Sequence, residues 1–267
     1  MNEIDKAIEL LREHAPAEGY YLCFSGGKDS IVIHDLAKKS GVKFTANYNN
    51  TTVDPPELVH FIRREYPNVI EHRPKQSMMK MISDGYSGIP PTRIARWCCR
   101  IFKEHGGDEC DKIIGVRAAE SARRAKTWKA VVVNERSGKK FICPIIDWSD
   151  GEVWRYIKGE GLKYPVMYDE GFSRLGCVGC PLSGKKRLEG FRRWPKMAMA
   201  WERAVKAQWL LLHDKPKDNG TERLQHRFPT AESFWRWYIE VDEQFNPFAE
   251  GCQQQMLFTN HELPEEV

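Results

Sequence analysis

The sequence predicts an α/β protein in which a parallel sheet flanked by helices is followed by a helical C-terminal extension. Three observations carry that expectation. Short apolar runs alternate with segments of helical spacing through the first part of the chain, which is the pattern of βαβ units. The first apolar run breaks at a Ser-Gly-Gly turn that opens a helix. From Pro181 onward the character changes to helical, basic and aromatic.

Taken in order, residues 4–14 place Ile4, Ala7, Ile8 and Leu11 on one helical face. Tyr20–Phe24 is short and apolar enough for a buried strand. Ser25-Gly26-Gly27 ends it, and Ile31–Lys39 resumes helical spacing. Lys43–Tyr48 reads as the second strand. Pro55 and Pro56 suit a helix start, so 57–65 is the next helix. Val69–Glu71 and Lys112–Val116 are further strands. Ala130–Asn134 and Lys140–Cys143, split by Ser137-Gly138, form a hairpin. Residues 144–157 close this unit. In the extension Trp194, Met197, Trp201, Val205 and Trp209 share one helix face, and Phe234, Trp235, Trp237 and Tyr238 begin another cluster. The expected division is a nucleotide-binding domain over 1–185 and a helical region over 186–267.

Composition narrows the class. The 267 residues are 41% hydrophobic with a mean hydropathy of -0.58 and a formal charge of +4, which describes a globular chain rather than a disordered one. No apolar run approaches the ~20 residues that span a bilayer. The first dozen residues mix acids and bases and do not read as a signal peptide. A cytoplasmic protein with no membrane partner is the expectation. The charge is uneven: nine Lys/Arg and two acids lie between Arg174 and Lys206, while Glu240–Val267 holds seven acids and no Lys or Arg.

Ser25-Gly26-Gly27-Lys28-Asp29-Ser30 follows the first strand and begins a helix. Such a turn aims backbone N–H groups and the positive end of the helix dipole at one point. The two glycines let a polyphosphate approach the backbone. Lys28 adds a charge, Ser25 and Ser30 add donors, and Asp29 can cap the helix or help hold Mg²⁺. The plain alternative is a glycine-rich turn with a serine cap. Arg117, Arg123 and Arg124 follow a strand at the edge where such a sheet binds ligands. Arginine there clamps phosphate or sulfate, the alternative for Arg123 and Arg124 being a solvated helix turn.

The motif SGGKDS after a strand resembles the loop of the PP-loop ATP pyrophosphatase superfamily, in its phosphoadenosine phosphosulfate reductase-like branch. Further matches are NYNNTT at 47–52, the stretch from Gly115 to Arg124, Pro144–Trp148 and Tyr168–Phe172. The resemblance covers about residues 18–185. It implies a Rossmann-like sheet of the adenine nucleotide alpha hydrolase type, with ATP or an adenylyl sulfate across the strand ends. Asn50 and Thr51, ending the second strand, are then expected at the adenosine, and Lys28, Asp29 and Arg117 as the catalytic set.

Eight cysteines in a chain without a signal peptide suit metal binding or redox chemistry better than disulfides. Cys98-Cys99 and Cys177-Val178-Gly179-Cys180 supply four thiolates in two pairs. That donor set suits Zn²⁺ or a [4Fe–4S] cluster, and C-x-x-C alone also suits a redox dithiol. The CC…CxxC arrangement resembles the cluster site of adenylyl-sulfate reductases, which implies [4Fe–4S]. Cys23 and Cys143 read as packed small hydrophobes. Cys252 stands where those reductases carry a nucleophile, but in an acidic context that weakens a thiolate.

Two chemistries compete. One cleaves ATP to AMP and pyrophosphate, activating an acceptor oxygen that sulfur displaces. The other reduces an adenylyl sulfate to sulfite with thiols. A sulfonucleotide has no β,γ-pyrophosphate, so the intact 25–30 loop favours ATP with Mg²⁺. A non-catalytic nucleotide- and cluster-binding regulator is the third reading. The basic stretch 174–206, interleaved with Phe191, Trp194 and Trp201, suits DNA or tRNA as acceptor, against the alternative that the rings pack a core. A cysteine desulfurase or a thiol reductant is the donor implied by the resemblance.

Overall fold

The computed structural model describes residues 2–135, 137–184, 186–215 and 224–240 of the chain. In chain order these form α1 (Glu3–Glu13), β1 (Tyr20–Cys23), α2 (Lys28–Ser40), β2 (Phe44–Asn49), α3 (Pro56–Glu65) and β3 (Ile70–His72). Next come α4 (Met78–Ser83), α5 (Trp97–Phe102), β4 (Lys112–Ile113), α6 (Ala122–Thr127), β5 (Val131–Val133), β6 (Lys140–Ile142) and α7 (Asp150–Gly159). The remainder is helical: α8 (Lys186–Arg193), α9 (Pro195–Leu212), α10 (Leu224–Arg227) and α11 (Ala231–Glu240). None of the described helices is long and apolar enough to cross a membrane.

The six strands form one sheet in the order β3-β2-β1-β4-β6-β5, parallel except for the antiparallel β5–β6 hairpin. Register aligns Ala46, Leu22, Ile113 and Ile142 across four neighbouring strands. All four are buried, three of them completely, as the both-faces burial of parallel strands requires. The chain runs outward through β2 and β3, then returns to the other side of β1 at β4. Strand order therefore reverses between β1 and β4, the place where sheets of this kind bind ligands. This is the expected Rossmann-like arrangement, a mostly parallel sheet among helices.

Local signals set the helix ends. Gly41, at φ 74°, takes the left-handed turn that stops α2, and Pro56 opens α3. Ser149 and Glu152 form a reciprocal capping box on α7. The hairpin falls where the sequence places it. β4 is shorter than expected: the Ile114 N–H still bonds Ile142 O, but the chain then leaves the sheet on its way to Arg117. α4 and α5 have six residues each, too few for helical periodicity to show.

Contacts divide the chain into two compact units. The first comprises Met1–Asn50, Asp54–His72 and His105–Gly176, and contains the whole sheet. The second comprises Thr51–Val53, Arg73–Glu104 and residues from Cys177 onward. A single cut near 185 follows the chain; the second unit is instead assembled from three pieces because α4 packs along α9. Its core is aromatic, with Trp201, Phe234 and Tyr238 almost entirely buried.

Candidate functional site

The glycine loop lies in the first unit, between β1 and α2. Gly26, at φ 71°, makes the turn, and a Cβ there would stand 2.7 Å from Ile62. Gly27 precedes the helix, so the N–H groups of the first helical turn face outward from the loop. The Lys28 N–H donates to the Tyr168 hydroxyl at 2.9 Å. Ser30 is buried and its hydroxyl donates to Gly27 O at 2.8 Å, while Ser25 Oγ donates to Ser30 Oγ at 3.3 Å. These serines brace the turn from inside. Burial holds the Tyr168 phenol in its protonated form.

Lys28 is only 4% exposed. Its ammonium lies 3.4 Å from Asp29 Oδ2 and 3.3 Å from Asp150 Oδ1. Arg117, 2% exposed, holds the same two carboxylates: Nε meets Asp29 Oδ1 at 2.6 Å and Nη2 meets Asp150 Oδ1 at 2.7 Å. Its Nη1 donates to Trp148 O at 3.2 Å. Burial works against the Arg117 charge, but Asp29 and Asp150 more than offset it and raise its pKa. Burial likewise opposes the Asp150 charge, and Lys28 and Arg117 bring its pKa below the usual carboxylate range. Two cations and two carboxylates thus form one closed cluster. Arg117, expected to clamp phosphate, spends its guanidinium on protein acceptors and fixes the loop's charges in place.

The other nucleotide residues separate. Arg123 is exposed on α6, and Arg124 pairs with Glu120 one turn earlier. Asn50 donates to Glu71 Oε1 at 2.8 Å. Thr51, expected at the adenosine, is buried in the second unit and accepts from Cys177 Sγ at 3.3 Å. Asp150 and Tyr168 were not singled out as site residues by the sequence. Ser149-Asp150-Gly151-Glu152 reads as a helix cap, which hides the second role of its aspartate. Tyr168 had a signal in the 168–172 motif, but nothing marked its hydroxyl as a loop contact.

The four predicted cysteine ligands share one pocket in the second unit, lined also by Thr51, Met78, Lys103 and Trp201. Cys98 and Cys99 come from α5, Cys177 and Cys180 from the turn before α8. Gly179 takes φ 78°, and a Cβ there would lie 2.5 Å from Trp201 Nε1, so only glycine fits between the two cysteines. Trp201 Nε1 donates to Val178 O at 2.9 Å and staples the turn. The Cys98 thiol shares its proton with Cys99: that bond and burial push Cys98 far up. The same bond brings Cys99 down to about 6, with help from Arg96 and Lys103. All seven cysteines among the described residues are free thiols. No three metal-capable side chains among the described residues stand close enough together to grip a single ion. Burial raises Cys143 to about 12 and Cys23 to about 11, in keeping with packed roles. Cys252 and the acidic tail beyond Glu240 lie outside the described residues.

In the basic stretch, Phe191, Trp194 and Trp201 are buried. The aromatic faces expected to stack on bases are core residues. Arg174, Lys186, Arg192, Arg193, Lys196 and Arg203 remain exposed, whereas Arg187 is buried and Lys206 pairs with Glu202 and Glu232.

The model of the phosphoadenosine phosphosulfate reductase domain matches residues 19–183. The chain belongs to that family. It is a family of nucleotide-processing enzymes. An uncharacterized protein of Methanocaldococcus jannaschii is 30% identical over 200 residues, covering 69% of this chain. The match spans 41% of that protein's length. An adenosine 5'-phosphosulfate reductase of Bacillus anthracis is 29% identical over 197 residues, covering 68% of this chain and 84% of that one. Among solved structures, phosphoadenylyl-sulfate reductase from Candida auris in its phosphate complex matches with a TM-score of 0.49 and 19% identity, over 64% of this chain and 88% of that one.

Proposed function

We propose that this family member cleaves ATP to AMP and pyrophosphate, passing the adenylyl group to an acceptor oxygen. Sulfur then displaces that oxygen, and AMP departs with it. The observation that carries this is the loop at the strand-order reversal: a buried lysine and a helix N-terminus beside one braced glycine turn. The N–H groups of the first turn donate to the β- and γ-phosphates, the Lys28 N–H exchanging Tyr168 for a phosphate oxygen. The Lys28 ammonium turns from Asp150 to the leaving pyrophosphate and neutralises charge as it develops. Arg117 is a positioning residue, holding Asp29 and Asp150 so that Lys28 stays aimed. Mg²⁺ arrives with the phosphates and lowers their net charge.

Cys98, Cys99, Cys177 and Cys180 would hold a [4Fe–4S] cluster, the donor set being four thiols around one pocket with cations beside it. Bound there, the cluster supplies electron transfer or a site for sulfide. Exposed cations between 174 and 206 offer a surface for a nucleic-acid acceptor, DNA or tRNA, through phosphate contacts alone. A cysteine desulfurase fits as sulfur donor, with a thiol reductant supplying the two electrons that release its persulfide sulfur as sulfide.

A second reading, thiol-dependent reduction of an adenylyl sulfate to sulfite, is favoured by the name of the B. anthracis relative and by the paired cysteines. In that case a thiol reductant replaces the sulfur donor. Incubation with ATP and Mg²⁺ should release pyrophosphate. Sulfite from adenylyl sulfate with a dithiol, and no ATP turnover, gives the case to the reductase. Turnover of neither leaves a nucleotide-binding regulator. For the acceptor, affinity for DNA or tRNA should fall steeply with salt; binding that ignores salt removes the basic surface from the account.

A further inference from the structure

The glycine turn is held from within. Ser25, Ser30 and Gly27 O bind one another inside it, and Arg117 fixes the two carboxylates beside it. Tyr168 nevertheless reaches the loop from 140 residues further along the chain, and the Lys28 N–H is the one hydrogen-bond partner of its hydroxyl among the described residues. The phenol oxygen lies against the open side of Gly27, where an added Cβ would stand 3.4 Å from it. Its ring centroid is 6.0 Å from the Lys28 ammonium. One side chain therefore stands over both groups that Lys28 offers an anion, the N–H at the start of a 13-residue helix and the charge.

Tyr168 ends the short turn Val166–Tyr168, which the fully buried Met167 anchors. Trp154, on α7, packs edge-to-face against both Tyr164 and Tyr168, at 5.2 and 5.0 Å between centroids. If Tyr168 leaves the loop, what Trp154 packs against must change. We propose that Tyr168 is a plug whose hydroxyl stands in the seat of a phosphate oxygen, so that the loop stays closed until a nucleoside triphosphate displaces it. A ligand whose phosphates reach the loop must break the bond between Tyr168 and the Lys28 N–H and move the ring. A triphosphate offsets that cost with its β- and γ-oxygens. A monophosphate is too short to reach the seat and leaves the plug in place. This rests on the loop receiving a triphosphate, and it adds how entry to that site is controlled.

The test titrates full-length wild type, Tyr168→Phe and Trp154→Phe with ATP and Mg²⁺, and with AMP. Tyr168→Phe keeps the ring and removes the oxygen from the seat, so ATP should bind roughly two- to tenfold more tightly, the scale of one net hydrogen bond. AMP should bind Tyr168→Phe and wild type alike. ATP should also change the tryptophan emission of wild type, and that change should largely vanish in Trp154→Phe, which removes one of the nine tryptophans. ATP binding to Tyr168→Phe that is unchanged or weaker makes the hydroxyl a brace or a phosphate contact and overturns the proposal alone. An equal gain for AMP, or an emission change that does not depend on Trp154, overturns it as well. No binding of ATP to either wild type or Tyr168→Phe overturns the triphosphate reading and this proposal together.

Discussion

At the glycine loop each buried charge already has its opposite: Lys28 and Arg117 hold Asp29 and Asp150 between them. At the cysteine pocket the balance is missing. In the same unit Arg187 is buried with no carboxylate partner among the described residues, and the Tyr238 hydroxyl has no hydrogen-bond partner among them. The difference teaches how each site meets its guest. A satisfied polar network keeps its shape before binding, and a ligand enters it by exchanging partners. An unsatisfied one is completed by what it binds, because buried polar groups without partners are costly.

The largest effect should come from breaking the first site. Lys28→Ala should lower pyrophosphate release from ATP by roughly 10²–10³-fold, the scale for losing one preorganised charge-stabilising donor. Iron content should stay at the wild-type level, measured by colorimetric assay on the same preparation. Cys98→Ala reverses the pattern: most of the iron should be lost, since one of the four thiolates that would hold the cluster is removed.

These contrasts show what could be seen in the sequence. The alternation of strands and helices, the glycine loop and the paired cysteines were all legible, because each depends on spacing along the chain. Lys28, Asp29 and Arg117 were found because they adjoin strand ends. Their mutual engagement was not, since Asp150 lies more than a hundred residues from the loop and carries a second identity as a helix-capping residue. Tyr238 sat in an aromatic cluster, where only a packed structure shows an unpaired hydroxyl. Thr51 follows Asn50 directly, yet the chain turns at Thr52, whose φ of 65° is in the left-handed region. That turn carries Thr51 to the cysteines. A β-branched residue seldom adopts that conformation, so nothing local announced it.

A smaller effect separates charge from scaffold in the loop. Arg117→Met leaves Asp29 and Asp150 without their guanidinium. Fully buried pairs lose 3–5 kcal/mol on such a change, and the exposure of Asp150 reduces this to about 2–3 kcal/mol. The urea midpoint should fall accordingly. Arg117→Lys should recover part of the loss and little of the activity, because one ammonium cannot hold both carboxylates and Trp148 O.

His34 provides a control outside both sites. It is buried among Phe24, Phe44 and Tyr66, and burial, with Lys38 nearby, lowers its pKa to about 4. Its neutral form is favoured by folding, so the stability it contributes is full above the unfolded value near 6.5. That stability drains as pH falls from there toward 4. Between pH 7 and pH 5 the loss should be about 2 kcal/mol. His34→Leu should flatten this part of the pH profile in urea titrations, leaving the remaining acid sensitivity to the carboxylates.

The central claim is that the turn after β1 receives a triphosphate. Equilibrium binding of ATP with Mg²⁺ and of adenylyl sulfate, measured side by side on anaerobic protein, tests it most directly. ATP should bind at least tenfold more tightly, and Lys28→Ala should erase that preference. Tighter binding of adenylyl sulfate, unaffected by Lys28→Ala, would contradict the account.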